Sequence, residues 1–182
     1  MKEVEEFVKE RFRESDIRYV GVEWFFKYHI SVVHRLGMRL AEKYGADKTV
    51  VGLATLLHDI GLQIDPERHD EAGAEESKKV LERFGYPEDV REKVAECIRA
   101  HMHRYEPKSL EARIVCTADA LAKFKTPFFF VKFAVRKAKP EETIEWLQYK
   151  VDLEYEKIFF EDERKEVKEI YESLKRMLSG KI

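Results

Sequence analysis

The chain has 182 residues, of which 44% are hydrophobic and 38% charged, and its formal net charge is -2. This length suffices for one domain with a full core, and the near balance of charge argues against a general nucleic-acid-binding protein, which would carry a basic excess. The charged N-terminal sequence MKEVEEFVKERFRE lacks the apolar stretch of a signal peptide, and no uncharged apolar run reaches the ~18 residues of a membrane helix, so we expect a cytoplasmic protein.

Apolar residues recur at three- and four-residue steps along most of the chain, which predicts helices. In chain order, helices are expected over about 4–12, 22–44, 49–58, 71–84, 87–101, 109–124, 140–158 and 167–177. Gly45 is expected to end one helix, and Asp47 and Ser109 are expected to cap the starts of two others. No useful alternating strand pattern and no internal repeat is present, so the predicted fold class is all-α: a single-domain helical bundle with additional C-terminal helices.

The residue usage adds two expectations about the environment of the protein. The cysteines, Cys97 and Cys116, show no CxxC or framework spacing, so we expect buried residues in a reducing compartment. Asparagine is absent while Glu, Lys and Arg are abundant, a composition typical of a thermophilic protein.

The sequence changes character after Thr126, where FFFVKFAVRKAKP is aromatic and then basic. Phe128–Phe130 are expected to pack in the core or between helices. The apolar stripe from Ile144 to Ile158 could cover the core or form a homodimer contact, and the sequence leaves both readings open.

Polar side chains stand at several positions where the pattern predicts burial. His29 lies on the apolar face of its helix, His58 and Asp59 end a buried helix, and Asp119 lies within IVCTADAL. A buried, uncompensated carboxylate is costly, whereas a divalent cation would neutralise the aspartates and accept imidazole nitrogen. Consecutive residues diverge by about 100° on a regular helix. His58 and Asp59 can therefore converge only where the helix departs from regular geometry, which we expect Gly61 to permit.

Five motifs in order resemble the HD-domain metal-dependent phosphohydrolases (the HD superfamily), whose signature is a His, a His-Asp pair and a distant Asp. The motifs are HISVVHRLGMRLA, LLHDIG, HDEAGAEESKKVLERFGYPEDV, VAECIRAHMH and EARIVCTADAL. The resemblance implies an HD core over about residues 22–125, followed by a C-terminal helical extension over about 126–182.

The resemblance also implies a set of site residues. The implied metal ligands are His29, His58, Asp59 and Asp119. His69 and His101 match positions that hold a second metal in two-metal members and contact the substrate phosphate in one-metal members, and both alternatives stay open. Asp59 would also accept a proton in catalysis, and His69 or His101 would protonate the leaving oxygen or neutralise the phosphate.

The implied activity is hydrolysis of a phosphomonoester or phosphodiester, with a nucleotide as the expected substrate, by attack of a metal-bound hydroxide. Mixed nitrogen and oxygen ligation admits Mn²⁺, Fe²⁺, Co²⁺, Ni²⁺, Zn²⁺ or Mg²⁺, one or two per chain. Many members carry a lysine directly after the HDIG stretch, where this chain has Leu62 and Gln63. The residues expected to meet the phosphate instead are Arg68, Arg104, Lys123 and Lys125. The alternative function is a nucleotide-binding regulatory domain of low activity that keeps a structural metal.

Overall fold

The computed structural model describes residues 1–13, 22–135 and 138–180, and these residues form helices and turns without a strand, which confirms the all-α fold. The helices are α1 (Lys2–Arg13), α2 (Val22–Phe25), α3 (Ser31–Tyr44), α4 (Lys48–Leu57), α5 (His69–Arg83), α6 (Glu88–Ala100), α7 (Leu110–Lys125), α8 (Phe128–Val135), α9 (Pro140–Glu156) and α10 (Glu161–Ser179). A π-helical turn, Phe26–Ile30, joins α2 to α3, and a 3₁₀ turn, Ile60–Gln63, lies between α4 and α5. The turn expected near Ser15 lies outside the described residues.

Helix α4 lies at the centre of the bundle. Every residue from Val50 to Leu57 is buried, and α4 packs against α3, α6 and α7. Helix α7 is buried continuously from Ile114 to Phe124. A helix that is apolar on all sides must be covered on all sides. The two most deeply buried helices therefore carry His58 and Asp119 into the interior.

Local sequence signals set several helix ends as expected. Gly45 ends α3 with a φ of 72°. The Asp47 side chain accepts two backbone N–H groups at the start of α4, and the Ser109 side chain accepts one at the start of α7. These contacts satisfy backbone groups that have no partner within the helix.

The single helix expected over residues 22–44 is interrupted by the π-helical turn, which contains His29. A π turn adds a residue to the helical repeat and is frequent at functional sites. Rings of Phe25 and Phe128 pack against the buried His29 imidazole, with centroid distances of 5.0 and 5.1 Å. The turn therefore holds this imidazole in a fixed aromatic pocket.

The C-terminal helices cover one side of the bundle. Leu147, Val151 and Ile158 of the apolar stripe are buried within the chain's own core, so the stripe covers that core. In α8, Phe128 and Phe129 are also buried, whereas Phe130 is 61% exposed, so the expectation of packing is wrong for Phe130.

Two further observations concern the cysteines and the apolar character of the helices. Both cysteines are buried free thiols, as expected, and burial raises the pKa of each. Among the residues described, no helix combines the length and the apolar character that crossing a membrane would require.

Gly61 is required by close packing rather than by its backbone angles, which corrects the expected role. Positive φ angles within the described ranges occur at Gly45, Gly85 and Gly180. A Cβ on Gly61 would lie 2.1 Å from the His69 carbonyl oxygen and 2.5 Å from the Gly73 nitrogen. The glycine therefore lets the 3₁₀ turn after Asp59 approach the start of α5.

We expect Gly61→Ala to lower the free energy of unfolding by about 2–4 kcal/mol, because the added methyl group meets backbone atoms rather than a mobile side chain. Gly45→Ala is the matched control, since a Cβ there meets nothing within 4 Å and the left-handed backbone alone costs about 1–2 kcal/mol. Urea unfolding of both variants measures the difference. A smaller loss at Gly61 than at Gly45 would contradict the packing role.

Candidate metal centre

Six polar side chains from separate helices and turns lie close together in one region of the interior. These are His29 from the π turn, His58 and Asp59 from the end of α4, His69 from the start of α5, His101 from the end of α6, and Asp119 from the middle of α7. His69 begins α5, whereas the sequence predicted that this helix starts at about residue 71. Five of the six are buried, and the His69 side chain is 13% exposed.

His29, His58 and Asp119 form the first group of potential ligand atoms. His29 Nε2 lies 3.2 Å from His58 Nε2 and 3.4 Å from Asp119 Oδ1, and His58 Nε2 lies 3.8 Å from the same oxygen. Imidazole lone pairs that face each other repel unless a proton or a cation lies between them. Atoms with these separations can reach one shared cation at the usual coordination distances of about 2.0–2.2 Å.

Asp59, His69 and His101 form the second group, and Asp59 joins it to the first. Asp59 Oδ2 lies 3.1 Å from Nε2 of both His29 and His58. Asp59 Oδ1 lies 3.7 Å from Nε2 of both His69 and His101. One carboxylate thus presents a different oxygen to each group, as a ligand that bridges two metal ions does.

A shared backbone contact orients three of the imidazoles. Nδ1 of His58, His69 and His101 each donates to the carbonyl oxygen three residues earlier, at 2.9 Å for His58 and 3.1 Å for His69. Since a carbonyl only accepts, Nδ1 carries the proton and Nε2 presents its lone pair to the centre. Contacts of this kind fix the tautomer of histidines that bind metals.

For the ionisable side chains of the centre, burial and the neighbouring charged groups shift the pKa in opposite directions. Burial would raise the pKa of Asp59, but the neighbouring imidazoles, led by His58, hold it well below its usual value. Burial lowers the pKa of His101 to about 4, so this imidazole is neutral at neutral pH and available as a ligand. Burial also opposes protonation of His58, but Asp59 and Asp119 outweigh it and raise the pKa of that imidazole.

One carboxylate oxygen of Asp119, Oδ2, accepts hydrogen bonds from two lysines. Lys123 Nζ donates to Asp119 Oδ2 at 2.8 Å, and Lys157 Nζ donates to the same oxygen at 2.6 Å. The other oxygen, Oδ1, is buried, faces His29 and His58, and accepts no hydrogen bond from any residue in the described ranges. The lysines therefore leave Oδ1 as the atom that a cation would satisfy.

Glu154 completes a buried ionic cluster around these lysines. Its Oε2 lies 2.9 Å from Lys123 Nζ and 3.3 Å from Lys157 Nζ, and its Oε1 lies 3.3 Å from Lys150 Nζ. Burial would raise the pKa of Glu154, but these lysines hold it below its ordinary value. Sequence reasoning missed this cluster, although Trp146, Lys150 and Glu154 recur at four-residue steps on α9 and so share a face.

A cavity of about 200 Å³ opens onto five of the six side chains, all except His58. Of the residues expected to meet a phosphate, Lys123 lines this cavity, whereas Arg68, Arg104 and Lys125 are not among the described residues that do. Arg68 pairs with Glu71, Arg104 donates to the Glu67 carbonyl, and Lys125 pairs with Glu166.

Gln63, which follows the HDIG stretch, fastens the 3₁₀ turn to α1. Its Nε2 donates to the Arg11 carbonyl at 2.9 Å, and Arg11 Nε donates to Gln63 Oε1 at 2.8 Å. Gln63 therefore has a structural role, because its side chain holds the 3₁₀ turn against Arg11 of α1.

Comparison with known proteins identifies a family domain in the segment that contains the six side chains of the centre. The model of the HD domain matches residues 27–123, more than half of the chain. Ribonuclease Y from Thermoanaerobacter pseudethanolicus is 37% identical over 99 residues, which cover 53% of this chain and 18% of that protein. Ribonuclease Y from Nitratiruptor sp. is 38% identical over 98 residues, which cover 52% of this chain and 17% of that protein. The aligned segment is thus under a fifth of the length of these relatives.

Solved structures show a similar fold over nearly the whole chain. A predicted HD superfamily hydrolase from an uncultured Thermotogales bacterium has a TM-score of 0.64 and 23% identity, with 99% of this chain and 92% of that one covered. The Lin1889 protein from Listeria innocua has a TM-score of 0.61 and 18% identity, with 98% and 93% covered. At these identities the likeness concerns the fold. Because the HD-domain model spans the segment that contains all six converging side chains, this chain belongs to the HD-domain family.

Proposed function

We propose that this protein is a metal-dependent phosphohydrolase that cleaves a phosphomonoester or phosphodiester, with a nucleotide as the expected substrate. The observation that carries the proposal is the pair of ligand groups beside a cavity, which Asp59 joins through its two carboxylate oxygens. Membership in the HD-domain family supports a hydrolase that uses divalent metal ions.

The side chains present suit divalent cations. Nitrogen and oxygen donors together admit Mn²⁺, Fe²⁺, Co²⁺, Ni²⁺, Zn²⁺ or Mg²⁺. A cation would satisfy the buried Asp119 Oδ1 and separate the Nε2 atoms of His29 and His58. We assign one cation to His29, His58, Asp59 and Asp119, and a second to Asp59, His69 and His101. When bound, such ions supply Lewis-acid activation of water and of the phosphoryl group.

The protein's own groups place the substrate and move protons. Asp59 is 7% exposed and lines the cavity, where it can accept a proton from the attacking water. Lys123 also lines the cavity and adds positive charge beside Asp119 for a phosphoryl oxygen. The aromatic rings of Phe25 and Phe128 exclude water from one side of His29.

We expect the wild-type chain to retain two cations and His69→Ala to retain one, because His69 belongs only to the second group. After loading with Mn²⁺ and removal of the excess, mass spectrometry of the metal content measures both values. His103→Ala is the control, since this exposed histidine lies outside both groups. Equal metal content in wild type and His69→Ala would contradict the two-cation assignment.

The test of activity is product release from a panel of phosphate esters with each metal. Nucleoside monophosphates and a dinucleotide phosphodiester are both needed, since the relatives include Ribonuclease Y. We expect turnover above that of an Asp59→Ala control. The regulatory alternative predicts instead that a nucleotide raises the Tm and is recovered intact on chromatography. No turnover above the control with any metal would contradict the proposed function.

A further inference from the structure

Apart from the cavity at the metal centre, a groove of about 350 Å³ lies between α8 and α10. Both helices pack on α7, which contributes Phe124 to the groove. The Phe124 ring packs against Phe129 of α8 and Tyr171 of α10, with centroid distances of 5.5 and 6.4 Å. These aromatic contacts hold the two sides of the groove in place, so the groove is a fixed feature of the surface.

The sides of this groove expose large apolar side chains to solvent. Phe130 of α8 is 61% exposed, and Ile170 and Met177 of α10 are 41% and 65% exposed. Ile170, Leu174 and Met177 follow one another at steps of four and three residues, so they form an apolar stripe along one face of α10. Exposed apolar patches of this kind mark interaction sites, and aromatic residues and Met are enriched in interfaces. We therefore expect another molecule to cover the groove.

Two opposite charges flank the apolar stripe along one edge. Glu169 and Arg176 are seven residues apart, which separates them by about 10.5 Å along α10 but by only about 20° around it. Both are exposed, and Glu169 lines the groove. Arg176 Nη2 donates to Ser173 Oγ at 3.1 Å within α10. In the ranges described, neither Glu169 nor Arg176 forms an ion pair, so each can pair with a charge on another molecule.

The positions of these charges fit a second copy of the same helix. The midpoint of Glu169 and Arg176 along α10 lies next to Ser173, and the midpoint of Ile170 and Met177 lies next to the same residue. A twofold axis beside Ser173 would make two α10 helices antiparallel and place their apolar stripes face to face. Glu169 would then lie beside the partner's Arg176, and Arg176 beside the partner's Glu169.

We propose that the groove between α8 and α10 is a homodimer interface, in which α10 of a second copy lies antiparallel along the apolar stripe. Burial of the stripe supplies the favourable free energy, and the two reciprocal Glu169–Arg176 pairs set the direction of the partner helix. The acidic edge formed by Glu169 disfavours an anionic membrane as the occupant. This inference is independent of the proposed chemistry, because no described residue of α10 lines the cavity at the metal centre.

The first experiment measures the mass of the full chain by light scattering over a range of protein concentrations up to about 100 μM. We expect wild type to reach twice the chain mass of 21.6 kDa. Met177→Lys is expected to weaken the dimer by about tenfold or more, because it places a charge within the buried stripe. Tyr149→Lys is the matched control, since Tyr149 of α9 is 62% exposed and does not line the groove. Circular dichroism checks that both variants are folded.

The second experiment tests the antiparallel arrangement by charge reversal. Glu169→Arg alone and Arg176→Glu alone are each expected to weaken the dimer by about tenfold or more, because each creates two pairs of like charges. An equimolar mixture of the two variants should recover the wild-type dimer, since the edge is basic in one copy and acidic in the other. Glu172→Arg is the control, because two residues turn the helix by about 200° and place Glu172 on the side of α10 opposite Ile170.

Three results would overturn this interface. The first is a wild-type chain that remains monomeric up to about 100 μM. The second is a dimer that forms with unchanged affinity in Met177→Lys and in both charge-reversal variants. The third is a mixture of the two charge-reversal variants that remains monomeric. A monomeric chain that co-sediments with phosphatidylserine and phosphatidylcholine vesicles, and loses this binding in Met177→Lys, would assign the groove to a membrane surface and would also overturn the dimer.

Discussion

Asp59→Asn is expected to lower kcat/KM for phosphate-ester hydrolysis by about 10³-fold or more, since several kcal/mol of transition-state stabilisation depend on the metal centre. The amide has nearly the shape of the carboxylate but lacks the charge that Asp59 presents to all four imidazoles, 3.1 Å away through Oδ2 and 3.7 Å away through Oδ1. The same substitution should reduce the metal content, because Asp59 belongs to both assigned cation sites. Steady-state kinetics and metal analysis on one preparation measure the two effects together.

The control for this prediction is Asp89→Asn, which removes a carboxylate from a side chain that is 69% exposed in the first turn of α6. It should leave kcat/KM within about twofold of wild type, since surface substitutions have small effects. An Asp59→Asn protein that binds metal and hydrolyses the substrate as wild type does would remove Asp59 from the proposed chemistry.

Lys157→Met is expected to lower the free energy of unfolding by about 3–5 kcal/mol, because it removes one partner of a buried ionic cluster. Lys157 is 5% exposed and contacts both Asp119, at 2.6 Å, and Glu154, at 3.3 Å. The variant would leave Lys123 as the sole remaining lysine that contacts Asp119 among the described residues. Chemical unfolding of the metal-free protein measures the loss without a contribution from bound cations.

The matched control is Lys175→Met, whose lysine pairs with Asp152 at the surface, where both side chains are about two-fifths exposed. Solvent-exposed ion pairs of this kind contribute about 0–1 kcal/mol to the free energy of unfolding, because water and salt screen their charges. Comparable losses for the two variants would contradict the importance of burial at Lys157.

The pH dependence of the Lys157→Met effect follows from the direction of the pKa shifts. Burial would lower the pKa of Lys157, but Asp119 and Glu154 raise it, so its stabilisation is present at neutral pH and is lost only as pH rises through the raised value. Glu154 has a lowered pKa, so its contribution is present above its unfolded value of about 4 and is lost at more acid pH. The difference between wild type and variant should therefore be constant across neutral pH and shrink in acid.

Local signals in the sequence predicted the helices and the convergence of polar groups. Apolar periodicity identified the bundle, and Gly45, Asp47 and Ser109 marked helix ends, because these features depend on neighbours within a few residues. The burial of Asp119 followed from its apolar surroundings in IVCTADAL, where a carboxylate needs a compensating partner.

Features that depend on distant contacts could not be predicted in the same way. The Lys157–Asp119 contact joins residues 38 positions apart, and nothing near Lys157 in the sequence distinguishes it from surface lysines. The need for glycine at position 61 comes from the backbone of His69 and Gly73, which only the fold brings within contact. The π turn at His29 likewise interrupts a periodicity that reads as one continuous helix.

Anomalous scattering from crystals of the Mn²⁺-loaded protein is the sharpest test of the two-cation centre. We expect an anomalous peak within about 2.0–2.3 Å of the ligand atoms of His29, His58 and Asp119, and a second peak between Asp59, His69 and His101. Both peaks should contact Asp59, one through each carboxylate oxygen. Fully loaded crystals without a peak between these side chains, or with Mn²⁺ bound elsewhere, would contradict the two-cation centre.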